Sequence, residues 1–189
     1  WSNLPSTACW RTPDAGCAMP DLFASTDPHT VFLHPGEFYF GGGPTRIATL
    51  LGSCVSITVW HPRLLVGGMC HYMLPSRQRP PQAALCGRYG DEAMEWLLAR
   101  IRETGAPAAQ FQAKLFGGGN MFETAIGGVM DIGRRNIDMG RQLLTQAGIS
   151  LIAEHVGGNA HRKLVFELWS GDVWLARPDR YASLGDALS

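Results

Sequence analysis

Apolar residues dominate one stretch of the chain, residues 50–74 (LLGSCVSITVWHPRLLVGGMCHYML), which is interrupted by a polar turn at 61–63. The first half is rich in β-branched and aromatic side chains, a composition typical of a buried strand, and the apolar second half predicts another strand. Two strands joined by a short turn pair in antiparallel fashion, and their side chains alternate between two faces. This pattern predicts that Cys54 and His71 can meet on one surface, while Cys70 takes the opposite face.

The rest of the hydrophobic pattern predicts further strands and two helices. One central strand is expected to run unbroken from about Arg46 to Trp60. Helical periodicity occurs at 91–103, with Asp91 as the expected N-cap, and again at 136–147. Shorter strands are expected at 111–116 and 149–153, and in a terminal hairpin of 164–168 and 173–176. Because strands and helices alternate only in part, we expect a mixed sheet system with helices packed on it rather than a doubly wound parallel fold.

Residues 1–29 lack this periodicity. Prolines at positions 5, 13, 20 and 28 interrupt them, and small polar residues fill much of the remainder. Such a composition is typical of an irregular or partly disordered tail. We therefore expect an N-terminal tail over 1–29 and one domain over 30–189, long enough to bury a substantial core.

Charge and composition argue against several classes of function. The chain has 16 basic and 16 acidic residues, and this formal net charge of zero gives no reason to expect a nucleic-acid partner. The longest uncharged apolar segment, 47–60, is too short to span a bilayer, so membrane insertion is not expected. Five cysteines without CxxC spacing, and no secretory signal, predict a cytoplasmic protein with reduced thiols.

No cofactor or metal is expected from the sequence. The glycine-rich segments match neither the GxGxxG nor the GxxxxGK[ST] nucleotide-binding motif. A zinc site built from Cys54, His61, Cys70 and His71 is disfavoured, because the side chains of two adjacent residues point to opposite sides of a strand.

Cys54 and His71 are the candidates for chemistry. A buried cysteine usually serves as a small apolar side chain, but Gly52-Ser53 before Cys54 would let a substrate approach the sulfur. Nearby backbone N–H groups could stabilise an oxyanion. His71 could activate the thiol by forming a thiolate–imidazolium pair, although a histidine between methionines is also a common core residue. The other histidines, at 29, 34, 61, 155 and 161, are interpreted as surface or turn residues.

Seven segments make the chain similar to a known family. They are HPGEFYF (34–40), TLLGSCVSITVW (49–60), GGMCHYMLP (67–75), RYGDEAM (88–94), KLFGGGNMF (114–122), IGRRNI (132–137) and GGNAHRK (157–163). In this order and spacing they resemble the CheD family of chemoreceptor glutamine deamidases, over nearly all of residues 31–177. The resemblance implies that Cys54, in the GSC motif, is the nucleophile and that His71, in the GGMxHxMLP motif, is the general base.

The third site residue departs from the family pattern. The family has a threonine six residues before the cysteine, a position that Ala48 occupies here. Thr49 follows it, but in a strand an offset of one residue turns a side chain to the opposite face. Thr49 could replace the family threonine if the backbone bulges; alternatively Thr45 or Ser53 takes the role, or the orienting interaction is weakened.

The resemblance implies the fold class α/β, a single domain of mixed, packed β-sheets with helices on the outside, which agrees with the mixed pattern of elements. It also implies an activity: glutamine side chains of methyl-accepting chemoreceptors are hydrolysed to glutamate through a thioester on the cysteine. Some family members also hydrolyse receptor glutamyl methyl esters, and some bind a CheC-type phosphatase. The oxyanion or substrate candidates are Gly52, Ser53, Gly118 and Asn120. Two other functions stay open: a non-catalytic adaptor that binds receptors or a phosphatase, and a cysteine peptidase, for which papain-like and caspase-like signatures are lacking.

Overall fold

Two β-sheets pack face to face in a computed structural model that describes residues 28–120 and 132–176. The elements, in chain order, are β1 (His29–Phe32), β2 (Phe38–Gly42), β3 (Thr45–Leu51), β4 (Val55–His61), β5 (Val66–Tyr72), α1 (Gly90–Glu103), β6 (Gln112–Gly117), α2 (Ile132–Ala147), β7 (Ser150–Val156), β8 (Arg162–Glu167) and β9 (Val173–Ala176). A short 3-10 helix at Ala108–Gln110 precedes β6. None of the helices in the described ranges is long and apolar enough to cross a membrane.

The two sheets differ in size and both are mixed. The small sheet has the strand order β1-β3-β8-β9, and the large sheet has the order β2-β5-β4-β6-β7. Among the described strands, β1 runs parallel to β3 and β6 parallel to β7, whereas the other pairs are antiparallel. Both helices pack on the face of the large sheet that points away from the small sheet. The expected α/β class, with mixed, packed sheets and outer helices, is confirmed.

Each face of the large sheet covers its own hydrophobic core. The inter-sheet core contains buried side chains from both sheets: Leu33, Ile47, Leu51, Met69, Phe116, Leu164, Phe166, Leu168, Val173 and Leu175. The helix-side core lies between the large sheet and α1 and α2. Alternation along β5 divides its side chains as the sequence predicts, with Met69 and His71 facing the small sheet and Cys70 and Tyr72 facing the helices.

The expectation of one strand over 46–60 is wrong. β3 and β4 belong to different sheets, and the chain crosses from one sheet to the other at Gly52-Ser53-Cys54. Both strands are apolar and rich in β-branched residues, and periodicity does not reveal that their hydrogen-bonding partners differ. The crossing places Cys54 at the edge of the inter-sheet core instead of within a strand.

Other expected boundaries need smaller corrections. α1 begins at Gly90, and Asp91 is not its N-cap; the Asp91 carboxylate lies in the first turn and accepts a hydrogen bond from the next amide (2.9 Å). α2 begins at Ile132, which is four residues before the expected start. β1 includes His29, which the sequence assigns to the tail, and the tail prediction for 1–27 lies outside the described residues. The terminal hairpin of β8 and β9 is confirmed.

Candidate active site

Cys54 and His71 lie on the same side of the large sheet. Ser56 on β4 pairs with His71 on β5, and this register places Cys54, two residues before Ser56, diagonally opposite His71. The Cys54 side chain packs against the inter-sheet core and is half-buried. Thiol and imidazole therefore both face the small sheet, at the end of the molecule where the chain crosses between sheets.

β3 supplies a third polar side chain to this place. Thr49 Oγ1 lies 2.8 Å from His71 Nδ1 and 2.8 Å from the carbonyl oxygen of Leu33. Because the carbonyl can only accept, the single hydroxyl proton is donated to Leu33, and the hydroxyl oxygen accepts the proton of His71 Nδ1–H. This network assigns the neutral tautomer whose lone pair is on Nε2.

The Nε2 atom of His71 is buried and has no hydrogen-bond partner among the described residues. A buried polar atom left unpaired costs roughly 1–3 kcal/mol, so such atoms are rare in ordinary cores. An imidazole nitrogen with a free lone pair is what a general base requires. His71 is thus held at one ring nitrogen and left free at the other.

Burial sets the protonation of both groups. It lowers the pKa of His71 to about 4, against the opposing effects of the Leu33 carbonyl and the Glu37 carboxylate. It also raises the pKa of the Cys54 thiol, which its own backbone amide partly offsets. Both directions favour a neutral thiol beside a neutral imidazole near pH 7. The thiolate–imidazolium pair expected from the sequence is therefore disfavoured in the resting state.

The register of β3 explains why Thr49, and not Ala48, meets the histidine. Thr49 shares a face of the strand with Ile47, which lies in the inter-sheet core, so Ala48 points to the opposite face. β3 pairs with β8 in unbroken register from 46 to 51, so Thr49 reaches His71 without a bulge. Thr45 bonds a turn carbonyl at the other end of the strand (3.1 Å).

The glycine turn after β6 holds the segment that carries the thiol. The amide of Gly118 donates to the carbonyl of Cys54 and the amide of Gly119 donates to the carbonyl of Gly52, both at 2.8 Å. Gly119 approaches the crossing segment closely because it lacks a side chain, whereas a Cβ at Gly118, whose φ is +65°, would meet Ile137 and Gly133 of α2. The turn fixes the backbone on either side of Ser53.

These bonds decide which candidate oxyanion donors are free. The Gly118 amide is engaged, and the Asn120 amide donates to a carbonyl of the next glycine turn (2.7 Å). Within residues 28–120 and 132–176, the amides of Ser53 and Cys54 donate to no other residue, and the Cys54 amide interacts with its own thiol. Two such successive amides beside a thiol have the arrangement of an oxyanion-binding site.

Asn136 is a residue of this region to which sequence reasoning gives no role. From α2, its side-chain nitrogen donates to the carbonyls of Ser53 (3.2 Å) and Met73 (2.8 Å). Asn136 is fully buried. The available signal is its place in the IGRRNI segment, which carries part of the family resemblance. Periodicity alone assigns it only to a helix.

The four residues considered for a zinc site are dispersed. Cys70 and His71 face opposite sides of β5, and His61 lies at the far end of β4, about 20 Å along the strand from Cys54. No three His, Cys, Asp or Glu side chains are grouped to hold a metal ion in the part of the chain that the structure describes. The surface interpretation of His61 is wrong, because its ring is buried against Phe111.

Known proteins share much of this sequence. Residues 73–177 match the family model described as CheD chemotactic sensory transduction. The probable chemoreceptor glutamine deamidase CheD 3 of Dechloromonas aromatica is 59% identical over 155 residues, which cover 82% of this chain and 91% of the relative. The probable chemoreceptor glutamine deamidase CheD 1 of Chromobacterium violaceum is 51% identical over 146 residues, 77% of this chain and 76% of the relative.

Among solved structures, the Bacillus licheniformis hypothetical protein YfiH is 16% identical, with a TM-score of 0.39 over 62% of this chain and 49% of that chain. This likeness is too slight to bear on function.

Fold and site together describe an α/β protein in which a thiol and a buried imidazole face the same side of one sheet, near the crossing to the other sheet. Two relatives share more than half of their aligned residues with this chain over most of its length. The chain belongs to the CheD family.

Proposed function

We propose that this protein is a chemoreceptor glutamine deamidase that uses Cys54 as nucleophile and His71 as general base. The observation that carries the proposal is the ring of His71, held at Nδ1 by Thr49 and free at Nε2, on the same side of the large sheet as the thiol. The names of its relatives supply the substrate: both are probable chemoreceptor glutamine deamidases.

The first half of the reaction forms a thioester. His71 Nε2 takes the thiol proton as the sulfur attacks the side-chain carboxamide carbon of the substrate glutamine. The amides of Ser53 and Cys54 stabilise the resulting oxyanion. The imidazolium then gives its proton to the amide nitrogen, and ammonia leaves with the electrons of the C–N bond. Thr49 keeps the imidazole in the required tautomer throughout.

The second half hydrolyses the thioester. His71 Nε2 takes a proton from water, whose oxygen attacks the acyl carbon, and the sulfur leaves and regains a proton from the imidazolium. The products are a glutamate side chain and the free thiol. Each turnover replaces a neutral amide on the receptor by a carboxylate, which adds one negative charge to the receptor surface.

The proposal also covers a second substrate, a binding partner and a location. A glutamyl methyl ester presents the same acyl carbon with methanol as the leaving group, so receptor methylesterase activity belongs to this proposal. We further propose that the protein binds a CheC-type phosphatase. We also propose that it is cytoplasmic and acts beside the cytoplasmic helices of the receptors. They rest on the family resemblance.

Mass spectrometry of a receptor cytoplasmic fragment tests the proposed function. We expect wild-type protein to add about one dalton at specific glutamines, the difference between an amide and an acid. Cys54→Ala should abolish the gain. Cys86→Ala is the matched control, because Cys86 is also half-buried, and it should retain the gain.

Other outcomes point to other functions. Shortened fragments that disappear with Cys54→Ala would indicate a cysteine peptidase. An unchanged mass, with binding of the receptor fragment retained in Cys54→Ala, would indicate an adaptor and would contradict both enzymatic functions.

A further inference from the structure

Asn136 connects the two segments that carry the proposed nucleophile and base. Its Nδ2 donates to the carbonyl of Ser53, the residue before Cys54, and to the carbonyl of Met73, two residues after His71. Both neighbours are carbonyl oxygens, which only accept, so the nitrogen of the amide must face them. The orientation of this side chain is fixed by its partners.

The position of these bonds gives them their importance. The pairing of β4 with β5 ends at Val55 and Tyr72, so no backbone ladder joins Ser53 to Met73. Asn136 bridges the two chains just beyond the last rung, where the side chain replaces a backbone link. The other backbone bonds of segment 52–54 among the described residues come from the amides of Gly118 and Gly119, which follow β6 and not β5.

Two glycines let α2 come close enough for the short asparagine side chain to reach. A Cβ at Gly133 would lie 2.6 Å from the Gly118 carbonyl, and a Cβ at Gly140 would lie 2.7 Å from the Tyr72 hydroxyl. Gly133, Asn136 and Gly140 are spaced by three and four residues, so they share one face of the helix. The Tyr72 hydroxyl also donates to the Asn136 carbonyl (2.6 Å).

The other atom of the amide argues against a simple packing role. Asn136 Oδ1 is buried without a partner among the described residues, which costs free energy that an apolar side chain would not. The two hydrogen bonds donated by Nδ2 are therefore what an asparagine provides at this position and an apolar side chain would not.

We propose that Asn136 is a positioning residue that fixes the distance and orientation of the Cys54 sulfur relative to the His71 imidazole. Its effect on turnover rests on the proposed deamidase function, whereas its effect on the thiol does not. Reaction rates depend steeply on such placement, and a shift of about 1 Å can cost on the order of 100-fold.

The test compares Asn136→Ala with Tyr72→Phe. Tyr72→Phe removes a bond to the same helical residue but leaves both Nδ2 bonds intact, so it controls for loosening of α2. With a receptor fragment as substrate, we expect Asn136→Ala to lower kcat about 10- to 100-fold with KM nearly unchanged. The kcat of Tyr72→Phe should stay within about twofold of the wild-type value, at a melting temperature similar to that of Asn136→Ala.

Alkylation of Cys54 by iodoacetamide gives a readout independent of the function. Loosening the segment exposes the thiol and relieves the burial that raises its pKa, so alkylation in Asn136→Ala should accelerate about fivefold or more while turnover falls. If Asn136 only held α2 in place, Tyr72→Phe, which removes another bond to α2 and keeps both Nδ2 bonds, would change the two rates in the same way. If wild type shows no deamidation, the proposed function fails, and alkylation still tests the positioning role.

A second variant covers the case in which Asn136→Ala does not fold. Asn136→Asp keeps the shape but, when ionised, faces two carbonyl oxygens with a carboxylate; protonated, it can donate one bond. Its kcat relative to wild type should therefore rise as pH falls from about 8 to about 5. A flat ratio, or equal losses of kcat in Asn136→Ala and Tyr72→Phe, would overturn the proposal.

Discussion

The two ends of the β4–β5 hairpin each hold a buried histidine, and the two rings differ in how completely they are hydrogen-bonded. His61, 2% exposed, is bonded through Nε2 to Gln110 Oε1 (3.1 Å), and its Nδ1 accepts two turn amides (both 3.2 Å). His71, 1% exposed, is bonded at Nδ1 and unpaired at Nε2. Equal burial with unequal pairing separates His61, whose ring closes a turn, from His71, whose unpaired Nε2 is the nitrogen that we propose as the general base.

The two cysteines near this hairpin show a related contrast. Cys70 is fully buried on the helix side, and burial raises its pKa to about 12. Cys54 is half-buried at the crossing between sheets, beside two amides that donate to no other described residue. Residue type alone does not distinguish Cys54 from Cys70; access to the thiol and the incomplete pairing of its neighbours do, and the proposed site rests on them.

Thiol reactivity should show the largest difference between these regions. We expect iodoacetamide to alkylate Cys54 at least ~10³ times faster than Cys70, which the reagent reaches only when much of the core opens. Because burial raises the pKa of Cys54 above the ordinary 9.0, its rate should still be rising at that pH. Peptide mass spectrometry after timed labelling, from about pH 6 to about 10, measures both.

A plateau in the Cys54 rate near neutral pH would contradict the neutral resting pair and restore the thiolate–imidazolium form. Cys70→Ala is the control: the labelling of Cys54 should be unchanged in it.

The second-largest difference is expected in kcat, between substitutions of His71 and of His61. His71→Gln is expected to lower kcat by about 10²- to 10³-fold, because glutamine cannot take the thiol proton. His61→Gln should leave kcat within about twofold of wild type, and it should destabilise the fold by about 1–3 kcal/mol, since two half-buried hydrogen bonds from turn amides lose their acceptor. Turnover on a receptor fragment and urea unfolding measure the two effects. Equal loss of kcat in both variants would mean that pairing does not distinguish the rings.

Strand alternation predicts part of the site from the sequence. It places His71 and Cys70 on opposite faces of β5 correctly, because side-chain direction in a strand is a local property. Applied to the family position at Ala48, the same rule predicts that Thr49 reaches His71 only through a bulge, whereas Thr49 meets the ring from an unbroken strand. The crossing at 52–54 could not be predicted in this way, because local pattern does not specify which sheet a strand joins. The contacts of Asn136 depend on where α2 packs, which is a tertiary property.

Protonation of His71 should make stability depend on pH in a defined window. The folded pKa of about 4 lies below the ordinary 6.5, so the unfolded chain binds more protons between these values and stability falls as pH drops through them. Protonation of His71 should lower the free energy of unfolding at pH 4, relative to pH 7, by on the order of 3 kcal/mol. Urea unfolding at successive pH values measures it, and in His71→Gln this part of the slope should disappear.

Cys70→Ala controls for destabilisation, because it weakens the core but keeps the histidine. It should therefore retain the wild-type slope between pH 4 and 6.5. A slope that survives in His71→Gln would place the titrating group elsewhere.

The smallest effect should come from the hydroxyl that orients the ring. Thr49→Val keeps the shape but removes the acceptor of His71 Nδ1–H, so the imidazole can take the tautomer with its proton on Nε2, and kcat should fall about tenfold. Thr49→Ser restores the acceptor and should recover most of that loss. Thr58→Val, which removes another buried hydroxyl with only a 3.5 Å contact, should leave kcat unchanged. A full loss in Thr49→Ser would show that the methyl group, and not the hydrogen bond, orients His71.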